Sequence, residues 1–335
     1  MERICISLAK RAPRPARWAL HVAPSSRHNV CVREIEATVD NPPADDVYVG
    51  RDYGRRDFVL TPDVVAAYCD AVDDHNPMYT GPSPFGAPVA PALVRHSEVY
   101  AYRASPKAQP SWYLPNLYGN LHARQEWEFF APMMVGDAVS TRSVISDRYV
   151  KRGRDYLVNE VLFFDVEGAV AARGRTHQSF LLEKQDEGIV VDKTREKAAE
   201  RRFEVDTSSA IEEIPLLRKQ ITLDMCWKFS GPARNYHNDK EAALKLGFPD
   251  IVVQGMMSTC FLSEMMTERF GAGWLAGGKM NVNLVNIVWQ SDRLTCRGFV
   301  REITPEGQRQ RANLDVWVEK EDGTKVTLGT ASAVV

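Results

Sequence analysis

The sequence predicts an α+β chain made of two copies of one unit, each a helix laid against an antiparallel sheet. Three observations carry that expectation. Each half ends in a run of segments whose apolar and polar residues alternate with the period of two that strands require. Between the halves lies a charged stretch, Glu183 to Glu213, with little that could be buried. Two landmark pairs, the turn aspartates Asp137 and Asp292 and the loop residues Tyr79 and His237, are separated by nearly the same number of residues. A duplicated unit explains a shared offset more simply than chance does.

In the first copy, Thr61 to Val72 reads as a short helix. Thr61 can cap it, Pro62 suits its first position, and Val64, Val65, Tyr68, Cys69 and Val72 form one apolar stripe. The loop D-D-H-N-P-M-Y (Asp73 to Tyr79) follows, then Gly- and Pro-rich chain, then a longer helical stretch from about Ala90 to Tyr102. R-Q-E-W-E-F-F (Arg124 to Phe130) is the first strand signal. It leads through the turn P-M-M-V-G-D to three further alternating segments, the last two joined at Val166 to Gly168. In the second copy the loop S-G-P-A-R-N-Y-H-N-D (Ser230 to Asp239) comes first. A helix from about Gln254 to Phe270 follows, with Met257, Phe261 and Met265 at spacings of four. Lys279 to Trp289 and the turn Gln290 to Asp292 lead to three more alternating segments, with Glu321-Asp322-Gly323 as a hairpin signal. Each long helix must bury its stripe, and the concave face of its sheet is the partner available. Pairing the two sheets edge to edge hides edge strands. The expected architecture is a double hotdog: an N-terminal extension over 1–45, modules over 46–183 and 214–335, and a charged linker over 184–213.

Bulk composition narrows the function classes. The 335 residues are 44% hydrophobic and 26% charged, with a formal net charge of -2. That gives no electrostatic reason to expect a nucleic-acid partner. No apolar run approaches the roughly 20 residues that span a bilayer, so no membrane partner is expected. The cysteines, Cys5, Cys31, Cys69, Cys226, Cys260 and Cys296, are scattered, without a C-x-x-C pair or a histidine at ligand spacing. Neither a metal site nor a disulfide framework is indicated, and reduced thiols in an intracellular compartment are expected. From Arg3 to Arg33 there are seven basic residues and no acidic one. This is either an unstructured extension on a cytoplasmic protein or a transit peptide leading to the mitochondrial matrix.

Taken together, several stretches are similar to the MaoC-like acyl dehydratases, which include the (R)-specific enoyl-CoA hydratases. In the first half these are Tyr48 to Tyr53, D-D-H-N-P-M-Y, Gly86 to Pro91, Leu121 to Asp137 and Lys151 to Val158. In the second they are S-G-P-A-R-N-Y-H, G-F-P (Gly247 to Pro249) and Q-G-M-M (Gln254 to Met257). Members of that family carry Asp-x-Asn-Pro-x-His, whose aspartate and histidine flank a water. Hydrating an α,β-unsaturated thioester removes a proton from water as it attacks C3 and delivers a proton at C2. A backbone N–H at the start of the long helix, usually within a His-Gly pair, stabilises the charge on the thioester oxygen. No metal or redox cofactor is needed; CoA or an acyl-carrier thioester enters as substrate.

This chain divides the signature between its halves. The first keeps Asp74, Asn76 and Pro77 but has Tyr79 in place of the histidine. The second keeps His237 but has Pro232 at the aspartate position, and its helix-start Gly255 follows Gln254. The resemblance therefore implies His237 as acid or base and Gly255 as oxyanion donor. Asp74 and the loop residue Asp239 are the carboxylates that could complete the dyad. Ser230, Asn235, Gln254, Met256, Asn76 and Tyr79 are the candidate substrate-binding residues. Each has a simpler reading: an Asx turn for Asp74, packing for Tyr79, a solvated loop for Asp239, plain core for the methionines. His75, His96, His122 and His177 have no partner visible from the sequence. The alternatives are a non-catalytic subunit that binds acyl thioesters or supports a partner, and an acyl-CoA thioesterase, which would need a carboxylate where Gln254 stands. A homo-oligomer is expected, with a hetro-oligomer including another hotdog chain as the alternative.

Overall fold

A computed structural model of the chain describes residues 47–97, 121–181 and 202–335. The expected N-terminal extension, the end of the first long helix and most of the linker lie outside the described residues. The first half contains β1 (Asp52–Val59), α1 (Pro62–Val72), β2 (Leu121–Phe129), β3 (Ala138–Lys151), β4 (Arg154–Phe164) and β5 (Val170–Leu181). In the second half β6 (Glu212–Glu213) and β7 (Leu217–Gln220) precede the helices α2 (Leu223–Ser230), α3 (Lys240–Lys245), α4 (Met256–Phe270) and α5 (Ala272–Leu275). The strands β8 (Lys279–Leu284), β9 (Arg293–Glu306), β10 (Arg309–Lys320) and β11 (Lys325–Val334) complete it. All strand pairs are antiparallel.

The two halves share one continuous sheet, in the order β1-β3-β4-β5-β2-β8-β11-β10-β9-β6, with β7 also on β9. The junction is β2 against β8, with Arg124 opposite Asn283 and Glu128 opposite Lys279. Arg124 Nε donates across it to Asn281 Oδ1 at 2.8 Å. Alternation decides which face of each strand is dry. On β10, Ala312, Leu314, Val316 and Val318 are buried in the core that surrounds α4. From Met256 to Thr267, α4 is buried on every side. Its polar residues tolerate this because their hydroxyls bond within the core: Ser258 Oγ to Gly255 O, Thr259 Oγ1 to Met256 O and Thr267 Oγ1 to Ser263 O. The methionines of α4 are core; Met257, Met265 and Met266 have no exposed surface.

Local chemistry repeats between the halves in the same detail. Thr61 caps α1 by accepting from Val64 N–H, and Thr222 caps α2 by accepting from Met225 N–H. The residue before each cap is tied to a turn aspartate: Leu60 N–H to Asp137 O and Ile221 N–H to Asp292 O. The carboxylates of Asp137 and Asp292 each accept the N–H three residues back, from Met134 and Trp289. α1 and α2 pack on one another across the two halves.

Three expectations need correction. Residues 92–97 of the first long helix form a 3-10 turn instead; Pro88 and Pro91 hold the preceding chain extended and leave no room for a run-up. The helices α2 and α3 were not read from the sequence, although Thr222 and Asp239 each carry an N-cap signal. The linker was placed too far toward the C-terminus: Glu212–Glu213 pair with Val300 and Phe299 of β9. Their carboxylates are also held, by Arg269 and Arg297. The described cysteines, Cys69, Cys226, Cys260 and Cys296, are free and buried.

Candidate active site

The loop between α2 and α3 carries His237 and is held together by asparagines. Asn235 Oδ1 accepts the His237 N–H at 2.9 Å, while its Nδ2 donates to the carbonyls of Ser230 and Ala233. Asn238, buried, donates to Ala233 O and accepts from Asn235 N–H. Asn235 is therefore scaffolding for the histidine. The loop then docks on the chain leading into α4. Val252 N–H donates to Tyr236 O, and His237 Nδ1 donates to Val252 O at 2.8 Å. A carbonyl can only accept, so Nδ1 carries the hydrogen and the lone pair of the neutral imidazole lies on Nε2. The ring packs against Tyr236, centroid to centroid 3.9 Å, and Tyr236 stacks on Phe248. These aromatic contacts fix the plane of the imidazole.

Three residues after Val252 the chain reaches Gly255, which caps α4 without a side-chain bond. The first N–H groups of a helix have no acceptor within it and carry the positive end of its dipole. A Cβ on Gly255 would lie 2.0 Å from Leu284 Cδ2, so a larger residue here requires the Leu284 side chain to shift. Ser230 Oγ donates to Gln254 Oε1 at 3.2 Å. Ser230 thus touches both the asparagine that holds His237 and Gln254, the residue before the cap of α4. Met256, the first helical residue, is buried. Ser230 and His237 are both bonded to the segment 252–255 that leads into α4.

The candidate carboxylates are placed elsewhere. Asp239 caps α3, its Oδ1 accepting from Ala242 N–H at 2.9 Å, with Arg234 Nη1 3.6 Å from its Oδ2. That is a local structural role. Asp74 is 3% exposed and accepts from Tyr79 O–H at 3.0 Å. Burial pushes its carboxyl up to about 6, against the Tyr79 hydrogen bond and the Lys219 charge, which hold it down. Burial, and then the Asp74 charge, keep the Tyr79 phenol well above its ordinary range. Asn76 makes the Asx turn, accepting from Met78 N–H. The surroundings of Asp74 include two residues that sequence reasoning missed, Lys219 and Glu264. The signal for Glu264 was a lone carboxylate within the apolar run C-F-L-S-E-M-M.

The remaining histidines divide by environment. His177 Nε2 donates to Glu126, and its Nδ1 faces the Tyr149 hydroxyl. His122 Nε2 donates to Gln125 Oε1, and burial drops its imidazole to about 4. His75 lies exposed, 3.5 Å from Asp73. The side chain of His96 lies outside the described residues. A groove of about 520 Å³ crosses the junction of the halves, lined by Glu126, Glu128, Arg173, Arg175, Lys279 and Asp315 among others. It opens on the sheet face opposite α4, because Trp127 and Met280, which alternate with these residues, point into the core. His237 is not part of it. No group of three or more metal-ligating side chains occurs among the described residues.

Residues 47–175 match the family model described as the FAS1-like dehydratase domain region. A structure described as a MaoC-like dehydratase is 17% identical, with a TM-score of 0.65 over 86% of this chain and 98% of that one. A MaoC-like dehydratase from Phytophthora capsici is 14% identical, with a TM-score of 0.63 over 88% of this chain and 98% of that one. A conserved hypothetical protein from Mycobacterium tuberculosis, described as having a double hotdog fold, gives a TM-score of 0.58 at 14% identity, covering 88% and 98% of the two chains. No curated protein matches the sequence. From the order of its strands, the repeat of its turns and these likenesses, the chain has a double hotdog fold.

Proposed function

We propose that the chain adds water to, or removes it from, acyl thioesters, with His237 as acid and base and the Gly255 N–H as oxyanion donor. The observation that carries this reading is the bond from His237 Nδ1 to Val252 O. It sets the basic nitrogen as Nε2 and ties the ring to the strip that ends at the start of α4. In the hydration direction, Nε2 takes a proton from water as the water oxygen bonds to C3. Electrons move to the thioester oxygen, where the Gly255 N–H and the helix dipole stabilise the charge. The imidazolium then gives a proton to C2, so one water is added and His237 returns to neutral. Ser230 and Gln254 hold the two parts of this site in register. The substrate class is an enoyl or 3-hydroxyacyl group on CoA or a carrier protein, and no metal or redox cofactor enters. Assembly as a homo-oligomer in the cytoplasm, or in the mitochondrial matrix, fits this chemistry.

The test is hydration of crotonyl-CoA and of longer enoyl-CoA thioesters by the full chain, followed by loss of the enone absorbance. Turnover by the wild type and its loss in His237→Ala is the expected result. Equal rates in the two proteins would remove His237 from the mechanism. A second reading, a thioester-binding subunit without turnover, is favoured by one observation: the carboxylate nearest in sequence, Asp239, is engaged as a helix cap. Binding of a CoA thioester without hydration would select it.

A further inference from the structure

Beside the first-half loop that carries Asp74 and Tyr79 lies a buried charged pair from the second half. Lys219, on β7, has 5% of its side chain exposed and lies 2.8 Å from Glu264 Oε1 on α4. Its Nζ also donates to the carbonyl of Asp73, and it lies 3.9 Å from Asp73 Oδ2. Next to Asp73 is Asp74, buried and bonded to Tyr79 O–H. Glu264 is thus paired with the Lys219 ammonium, whose charge also acts on the buried Asp74 carboxyl of the other half. The groups around Glu264 are Lys219 on β7, Asp74 on the loop after α1 and Cys69 within α1. Cys260 and Glu268 on α4 and Cys296 on β9 complete the set. None adds a second positive charge.

The two carboxyls are not equivalent. Asp74 has the Tyr79 hydroxyl as donor. Glu264 Oε2 is buried with no hydrogen-bond partner. An ionised oxygen without a donor costs more to bury than a neutral hydroxyl in the same place. We infer that Glu264 is held as the neutral acid near pH 7, and that with Lys219, Asp74 and Tyr79 it forms a latch between the halves that weakens as pH rises. Burial, and then the Asp74 charge, push its carboxyl up to about 8, while Lys219 opposes the shift. A carboxyl raised on folding binds more protons folded than unfolded, so its contribution to stability is complete at low pH. That contribution is lost as pH rises through the folded value. The latch stands apart from the acyl-thioester reading and holds whether or not the chain turns over substrate.

Thermal unfolding of the full chain between pH 6 and 9.5 tests it, alongside the infrared band of a protonated carboxyl. In the wild type, the unfolding temperature is expected to fall by a few degrees from pH 6 to about 8 and then level off, while the band fades around pH 8. Glu264→Gln should flatten the profile and remove the band at pH 7. Asp74→Asn should move the fall to lower pH, because Lys219 then neutralises Glu264 alone. Should Glu264→Gln not fold, the wild-type band and the Asp74→Asn profile still decide. A wild-type profile flat from pH 6 to 9.5, or no protonated-carboxyl band at pH 7, overturns the inference.

Discussion

The loops that follow α1 and α2 descend from one plan and have been put to opposite uses. After α1, Asp74 and Tyr79 bond to each other, and Lys219 and Glu264 of the second half close over them. After α2, His237 Nδ1 bonds to the backbone carbonyl of Val252, and Asp239 on the same loop caps α3. The first loop has become an internal joint, while the second stays at the surface of the core, half-buried, beside a helix start. The difference teaches that two copies of one loop can diverge, one gaining cohesion through a buried polar cluster and the other keeping a half-buried histidine. Burial of a carboxylate with a tyrosine and a lysine rewards packing, whereas catalysis needs a titratable group that water can reach.

Substitutions break or sharpen this contrast, beginning with the largest effect. His237→Ala is expected to lower hydration about 10²- to 10⁴-fold, while Tyr79→Phe leaves the rate per folded molecule within about twofold; both are read with crotonyl-CoA. Equal losses in the two variants would erase the distinction between the loops. Gly255→Ala places a Cβ against Leu284 and should displace the N–H proposed as oxyanion donor, at a cost on the order of 10² in kcat. Adding Leu284→Ala, which removes Cδ2 from the collision, should restore part of the rate. Tyr79→Phe takes a donor from the buried Asp74 and should cost about 1–3 kcal/mol in urea unfolding. Asp239→Ala should cost about 1 kcal/mol as a lost cap and leave kcat nearly unchanged. A large fall in kcat would make Asp239 a catalyst after all.

The element types and their order were legible because they rest on local rules. The strand alternation of β10, the Thr61 cap with Pro62 and the hairpin at Glu321 to Gly323 all read directly from short windows. The turn aspartates were legible too, and the structure gives them the same bond in both halves. α2 and α3 were missed because one is short and both flank a loop read for its chemistry. The 3-10 turn at 92–97 was missed because an apolar stripe has the same period whether a helix is long or cut short by proline. For the candidate site, the sequence pointed to His237 and Gly255. It could not say that Asn235 is scaffolding, that Asp239 is a cap, or that Val252 O sets the imidazole tautomer, since each depends on a contact between loops.

The sequence by itself determined that this chain is two helix-and-sheet units, and that the histidine and the aspartate of one signature lie on different copies. Periodicity and capping are properties of neighbours along the chain, so they survive without coordinates. Only the tertiary structure decided the fate of each copy. Whether a carboxyl stays ionised, or an imidazole keeps its lone pair outward, depends on what lies within a few ångströms. Glu264, Lys219 and Asp74 are far apart in sequence and meet only when the two sheets join.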